Sequence, residues 1–294
     1  MASANSSHLS EKAVSGFAKA DLYEEHRPSY PQQAVAILLD AAAVNGYKGA
    51  RLVDLAAGTG KFTELLAARE EQFSINAVEP HHEMRKQLEQ KALNNVTVTD
   101  GLSTAIPEET ESVDAVFAAQ AFHWFANEGS LKEIHRVLKP VGVFGMIWNA
   151  EDYNTPRSYS TTSSWEAQLR DHLFSLDDVI DDHQPRFRHD RWRGVFDEQL
   201  SSTPITAALV GKTNSLFSLP LGEQQVKWTV WLEQEALWQR LRTLSHVAVL
   251  EGENLEKTRQ IFDAALSGGD VQRNDKGEIA VHGSTVIAWS SKIP

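Results

Sequence analysis

The chain has 294 residues, 41% of them apolar, with 40 acids, 28 bases and no cysteine. Disulfides, thiolate nucleophiles and cysteine-ligated metals are excluded, and a net charge of −12 disfavours a nucleic-acid partner, whose phosphates call for a basic surface. With no apolar run of the roughly 18 residues a membrane span needs, and a polar start (MASANSSHLSEK) unlike a secretory signal, the expectation is a cytoplasmic protein acting on a small molecule.

Pro31 opens a helix over Gln32–Ala43, with Val35, Leu38, Leu39 and Ala42 on one face. Arg51–Leu55 is the first strand, and Phe62–Glu71 the helix after it. Ser74–Val78 is the second strand, and Met84–Leu93 a helix with Asn94-Asn95 at its C-terminal cap. Val96–Val98 is the third strand. Ser112–Ala119, nearly continuous in apolar residues, carries the fourth, as a strand buried on both faces should. Ser130–Leu138 is an amphipathic helix, Lys139–Gly142 breaks it, and Val143–Trp148 is the fifth strand. Strands and helices alternating at this spacing imply a parallel sheet with right-handed crossovers. Beyond Asn149 the pattern changes. Helical character is expected over Trp165–Leu176, β structure near Ala207–Leu219, a long helical region over Glu223–Leu250, and a helix over Glu256–Leu266. A final strand over Ile279–Trp289 alternates as an antiparallel edge would. The basic run Arg186–Arg193 is taken as a solvated helix end or an anion contact.

The chemistry gathers at the carboxyl ends of the strands, where an open parallel sheet binds its ligand. Asp54-Leu-Ala56-Ala-Gly58-Thr59-Gly60 follows the first strand. A dinucleotide fingerprint would place a third glycine where Thr63 stands, so this loop favours S-adenosylmethionine over NAD. Glu79, before Pro80, ends the second strand 19 residues beyond Gly60, where an acid can accept both ribose hydroxyls. After the third strand, Gly101, Leu102 and Ser103 lie where adenine would rest. After the fourth, Gln120-Ala121-Phe122-His123-Trp124-Phe125 places aromatic rings beside the cofactor, and such rings attract a sulfonium. Phe17, Phe122 and Trp124 are the candidates for that contact. His123 is the candidate general base, with pocket-building as its alternative role. His81-His82 are adjacent rather than spaced as metal ligands, so no metal is expected.

Leu22-Tyr23-x-x-x-Arg27-Pro-x-Tyr30-Pro, Asp54-Leu-Ala-Ala-Gly-Thr-Gly-Lys61, Val78-Glu-Pro80, Gln120-Ala-Phe-His-Trp124 and Glu133-Ile-x-Arg136-Val-Leu-Lys-Pro140 together resemble the class I S-adenosylmethionine-dependent methyltransferases. The likeness is to the small-molecule branch with a type 11 methyltransferase domain, similar to trans-aconitate and cantharidin-type methyltransferases. It is strong over residues 17–148. The resemblance implies a Rossmann-like, doubly wound α/β fold: a seven-stranded sheet, mostly parallel, with an antiparallel last strand and a helical lid. It also implies three regions: a flexible N-terminus (1–16), an S-adenosylmethionine-binding core (17–150), and lid helices plus the final sheet strands (151–294). Carried over by position, Tyr23 and Arg27 would face the methionyl end and Met84 would join the cofactor pocket. The expected reaction is methyl transfer to a small organic molecule at oxygen, in a carboxylate or hydroxyl, with neither membrane nor nucleic acid as partner. Trp165, Trp192, Trp228, Trp231 and Trp238 fall in the distal half, and Arg191, Arg193, Arg242 and His246 are candidate contacts to an acidic acceptor. The rival readings are an NAD-linked oxidoreductase and a methyltransferase-like regulatory subunit.

Overall fold

The computed structural model describes residues 28–180, 184–200 and 215–294. Tyr23, Arg27, Phe17 and most of the expected β segment 207–219 lie outside these. In chain order come α1 (Gln32–Ala41), β1 (Arg51–Leu55), α2 (Lys61–Ala67), β2 (Ser74–Val78), α3 (His82–Gln90), β3 (Val96–Thr99) and β4 (Val113–Ala119). Then follow α4 (Glu128–Val137), β5 (Leu138–Glu151), α5 (Ser164–Val179), α6 (Gly194–Leu200), β6 (Gly222–Leu232), α7 (Gln234–Arg242), α8 (Ser245–Ala248), α9 (Gly252–Ala265) and β7 (Ile279–Ser291).

The strands form one mixed seven-stranded sheet in the order β3-β2-β1-β4-β5-β7-β6. β1 pairs in parallel with β2 and β4, β2 with β3, and β4 with β5. The chain thus winds outward from β1 to β3, then returns to the other side of β1. That reversal between β1 and β4 is the switch point at which such sheets bind ligands. β7 runs against β5: Lys292 N–H donates to the Gly142 carbonyl, while Thr285 Oγ1 donates to Asn149 Oδ1 further along.

By internal packing the described chain divides into two compact units. One comprises Ser29–Trp148, Pro185–Val226 and Val286–Pro294; the other holds Asn149–Gln184 and Lys227–Thr285. In the first, α1 buries Ala34, Val35, Leu38 and Leu39, the i, i+3, i+4 face of an amphipathic helix. Phe62 packs edge-on between the rings of Tyr30 and Phe117, at 5.4 and 5.9 Å. Each such fully buried side chain contributes about 1.5–3 kcal/mol. In the second unit, Tyr153, Trp165, Leu169, Leu173, Leu237, Leu241, Phe262 and Ile279 share one apolar cluster.

Several elements depart from the sequence reading. The expected helix over Glu223–Leu250 is in fact strand β6 followed by α7 and α8. Val226, Trp228, Val230 and Leu232 are half-buried and alternate with exposed Lys227, Thr229 and Trp231, a period-2 pattern in β-branched and aromatic residues. The last strand is not an edge; β7 lies inside the sheet and β6 takes the edge. Two tryptophans seat this pair. A Cβ on Gly222 would fall 2.2 Å from Trp289, and one on Gly283 would fall 2.3 Å from Trp228, so each ring covers a glycine across the strands. The helix does end ahead of Lys139–Gly142, but the fifth strand is longer than expected, running from Leu138 to Glu151 with an irregularity in its pairing between Val113 and Ala115. α3 stops at Gln90, ahead of Asn94-Asn95, with Ala92 left-handed (φ +47°). The basic run 186–193 is not a solvated helix end. It forms two short 3-10 turns in which Phe187, Arg188 and Trp192 are buried.

Candidate functional site

β1 ends in Asp54-Leu55 and turns through Ala56 (φ +58°), Gly58 (φ +59°) and Gly60 (φ +86°) into α2. β4 ends beside another left-handed residue, Gln120 (φ +56°). Alanine and glutamine in that region are strained, a state that persists where the surroundings enforce it and that gathers at ligand sites. Gly60 is fixed by space as well as by φ, because a Cβ there would lie 2.2 Å from Leu88 Cδ1. Gly58 differs: its nearest neighbour in the Cβ direction is Met84 Sδ at 3.8 Å, so the turn leaves room.

Glu79 joins the ends of β1 and β2. Its Oε2 accepts the Gly58 N–H at 2.8 Å and its Oε1 accepts the His81 N–H at 2.8 Å. Each carboxylate oxygen retains a lone pair beyond those bonds. Burial pushes the Glu79 carboxyl above its usual range, while the His81 and Gly58 amides oppose the shift. Arg85 braces the loop, donating to the carbonyls of Glu79 and Pro80 at 2.7 and 3.1 Å, and pairs with Asp100 at 3.3 Å. His81 caps α3, its Nδ1 accepting from Met84 N–H. Burial lowers the His81 pKa and favours the neutral ring that can accept.

Asp54 is wholly buried. Its Oδ2 accepts from the Thr63 hydroxyl at 2.6 Å, while Oδ1 has no hydrogen-bond partner among the described residues. Burial raises its pKa to about 7; the Thr63 hydroxyl opposes the rise and Glu79 adds to it. Thr63 was noted in the sequence only as a missing glycine. Its hydroxyl is what anchors the buried acid, and the spacing of nine residues across a turn carries no signal for that.

In the third loop, Leu102 bridges to Ala105 and Ser103 Oγ lies 2.9 Å from Ser130 Oγ, so the Ser103 hydroxyl ties the loop to α4. Gly101 is half-buried and Thr59 is buried. The β4 loop is tied to β5: Gln120 N–H donates to the Ile147 carbonyl at 2.8 Å, and Trp148 Nε1–H donates to His123 Nδ1 at 3.1 Å. Ala121 and Phe122 are buried. Phe122 packs on Phe125, Phe144, Trp192 and Phe196, and Trp124 lies against His123 at 5.1 Å. A hydrogen bond therefore joins Gly58 to Glu79, Met84 Sδ is the nearest atom a Cβ on Gly58 would meet, and Asp54 is coupled electrostatically to Glu79. Of the arginines suggested for an acidic acceptor, Arg193 is held by Asp190 and Glu223. Among the described residues no His, Asp or Glu cluster is placed to hold a metal ion, and no helix is long and apolar enough to cross a membrane.

This strand order, with a glycine turn after β1 and a buried acid ending β2, is that of an open α/β sheet that binds its ligand at the β1–β4 switch point. Residues 53–146 match the Methyltransferase domain family, and the chain carries that domain. It is 45% identical over 134 residues to an uncharacterized methyltransferase of Schizosaccharomyces pombe, covering 46% of this chain and 52% of that protein. It is 32% identical over 138 residues to malonyl-[acyl-carrier protein] O-methyltransferase of Methylococcus capsulatus, covering 41% and 50%. The chain thus spans about half the length of the curated relatives it matches. The YcgJ protein of Bacillus subtilis superposes with a TM-score of 0.53 at 16% identity, covering 90% of this chain and 100% of that one, a likeness of fold. The residues fit S-adenosylmethionine. Glu79 has lone pairs for ribose hydroxyls, the Gly58 turn has space, and Asp54 Oδ1 is a buried acceptor without a donor among the described residues.

Proposed function

We propose that this protein is an S-adenosylmethionine-dependent methyltransferase that acts on a small organic molecule at oxygen. The observation that carries the reading is Glu79, a buried carboxylate ending β2 and hydrogen-bonded to the Gly58 amide of the β1 turn. An acid so placed takes the paired hydroxyls of a ribose, and the open turn beside it takes the chain beyond the ribose. Bound there, S-adenosylmethionine supplies a methyl group already activated on a sulfonium, so that alignment and exclusion of water are the main tasks left to the protein. Asp54 and Gly58 would hold the methionyl side with Ala56, Thr59 and Gly60; Tyr23 and Arg27, which the sequence resemblance adds to that end, lie outside the described residues. Pro80 and Met84 would flank the ribose, and Gly101, Leu102 and Ser103 would receive the adenine. Gln120, Ala121 and Trp124 would close the pocket, with His123 on the acceptor side. A net charge of −12 favours a small acceptor over a polyanion, and the Methylococcus capsulatus relative, named an O-methyltransferase, supports oxygen. Calorimetry with S-adenosylhomocysteine and with NADH tests the reading. Micromolar binding of the first and none of the second is expected, and preference for NADH overturns it.

A further inference from the structure

β6 is the outer strand of the sheet, and among the described residues no strand lies beyond it. Such an edge presents a row of backbone N–H and C=O groups without ladder partners, a template for another strand. Proteins commonly blunt their edges with proline, a bulge or inserted charges. The stretch Gln225-Val-Lys-Trp-Thr-Val-Trp-Leu232 contains no proline and no glycine, and Lys227 is its one charge in a chain of net charge −12. It is dense instead in β-branched and aromatic residues, the types that fit a pleated, half-buried surface. Lys227, Thr229 and Trp231 make up its outward face, and the Trp231 residue is 43% exposed. A tryptophan in that position is the kind of side chain that anchors an interface.

The pattern of β6 is complementary to itself. Two copies of one edge strand pair antiparallel about a two-fold axis normal to the sheet. That axis keeps outward side chains opposite outward ones, so it must pass through a residue pair and not between two residues. Centred on Lys227, it would set two ammonium groups face to face. Centred on Gln225, it would set Lys227 against Glu223, which Arg193 already holds. Centres on Val226 or Trp228 leave Lys227 facing Gln225 or Thr229. Centred on Thr229, the register places Lys227 opposite Trp231 on both sides of the axis, a cation beside an indole. Thr229 then meets Thr229, and on the inward face Val226 meets Leu232 and Trp228 meets Val230, all favourable cross-strand pairs. We infer that β6 is a dimerisation strand, through which two copies of this chain join edge to edge about Thr229 and continue one sheet into the other.

Sedimentation velocity of the full chain, from micromolar to submillimolar concentration, tests this. The expected species is a dimer in exchange with monomer and nothing larger, because a two-fold contact closes on itself. Monomer at every concentration, or an open-ended series of oligomers, overturns the inference. Thr229 is exposed, so changes there leave the inward packing alone. Thr229→Asp opposes two carboxylates and Thr229→Lys two ammonium groups; each should weaken association several-fold. An equimolar mixture of the two variants should recover the dimer as a heterodimer, which a dimer built elsewhere on the surface would not do. Unchanged association of folded Thr229→Asp, or no gain on mixing, overturns the inference. Hydrogen exchange of the wild type needs no variant: amides within residues 226–232 should exchange more slowly as the dimer fills, and exchange independent of concentration there overturns it. S-adenosylhomocysteine binding is read separately, so failure of the methyltransferase reading and failure of this one are distinguishable.

Discussion

Asp54→Asn isolates the electrostatic cost of the site. In the unfolded chain this carboxyl ionises near 3.8; in the native protein burial holds it at about 7. Between those values the native state keeps a proton that the unfolded state has released. Stability therefore falls as pH rises through the window and levels off above it. A shift of about 3 units at about 1.4 kcal/mol each gives a total near 4 kcal/mol, of which about 2–3 kcal/mol accrues between pH 5 and pH 8. Asparagine is neutral throughout and removes the titration. In urea unfolding of ligand-free protein, followed by tryptophan fluorescence, the stability of wild type minus that of Asp54→Asn should drop by about 2–3 kcal/mol from pH 5 to pH 8. The difference cancels the titrating groups that do not couple to Asp54, leaving Glu79 as the coupled neighbour. Parallel pH dependences in the two proteins would refute the burial argument. A cofactor ammonium brought within reach of the buried, unpartnered Oδ1 would favour the ionised acid, so binding at pH 6.5 should also release a proton, measurable by calorimetry in two buffers of different ionisation heat.

Glu79→Ala should weaken S-adenosylhomocysteine binding by about 1.5–3 kcal/mol, the range for hydrogen bonds to a charged group; calorimetry showing no loss would remove Glu79 from the site. Gly60→Ala places a Cβ 2.2 Å from Leu88 Cδ1 at φ +86°. It should cost about 2–4 kcal/mol of stability from backbone strain and overpacking combined, and Leu88→Ala in the same chain should relieve the steric share in urea unfolding. Gly283→Ala drives a Cβ into Trp228 and should cost about 1–3 kcal/mol. Tolerance of that change in a thermal melt would contradict the β6–β7 register.

Strands β1 to β4 and the helices between them were legible because each is short, strongly patterned and bounded by its own turn. Arg51–Leu55 and Ser74–Val78 match to the residue. Their burial on both faces writes a run of apolar residues that needs no tertiary information. The segment 222–232 was misread because Gly222–Leu232 is half-buried and rich in Gln, Glu and Lys, so its period-2 signal is thin. Its ring contacts supply what the pattern lacks: Trp228 over Gly283 and Trp289 over Gly222 come from residues 55 and 67 positions apart. The place of β7 inside the sheet was likewise invisible, because alternation reports which faces a strand shows and not which neighbours it has.

The local order of residues by itself established the Asp54–Gly60 turn, the acid at Glu79 and the aromatic block at Gln120–Trp124, since a turn, a strand end and a spacing are properties of contiguous chain. Only the folded protein decided which of those groups are charged and which way their protons face. Burial raises the Asp54 pKa to about 7, so the acid is only part-ionised near neutrality, and His123 Nδ1 acts as an acceptor because Trp148, 25 residues away, donates its Nε1–H to it. Ionisation and tautomer answer to solvent exclusion and to partners brought from afar, and both come into being only when the chain closes.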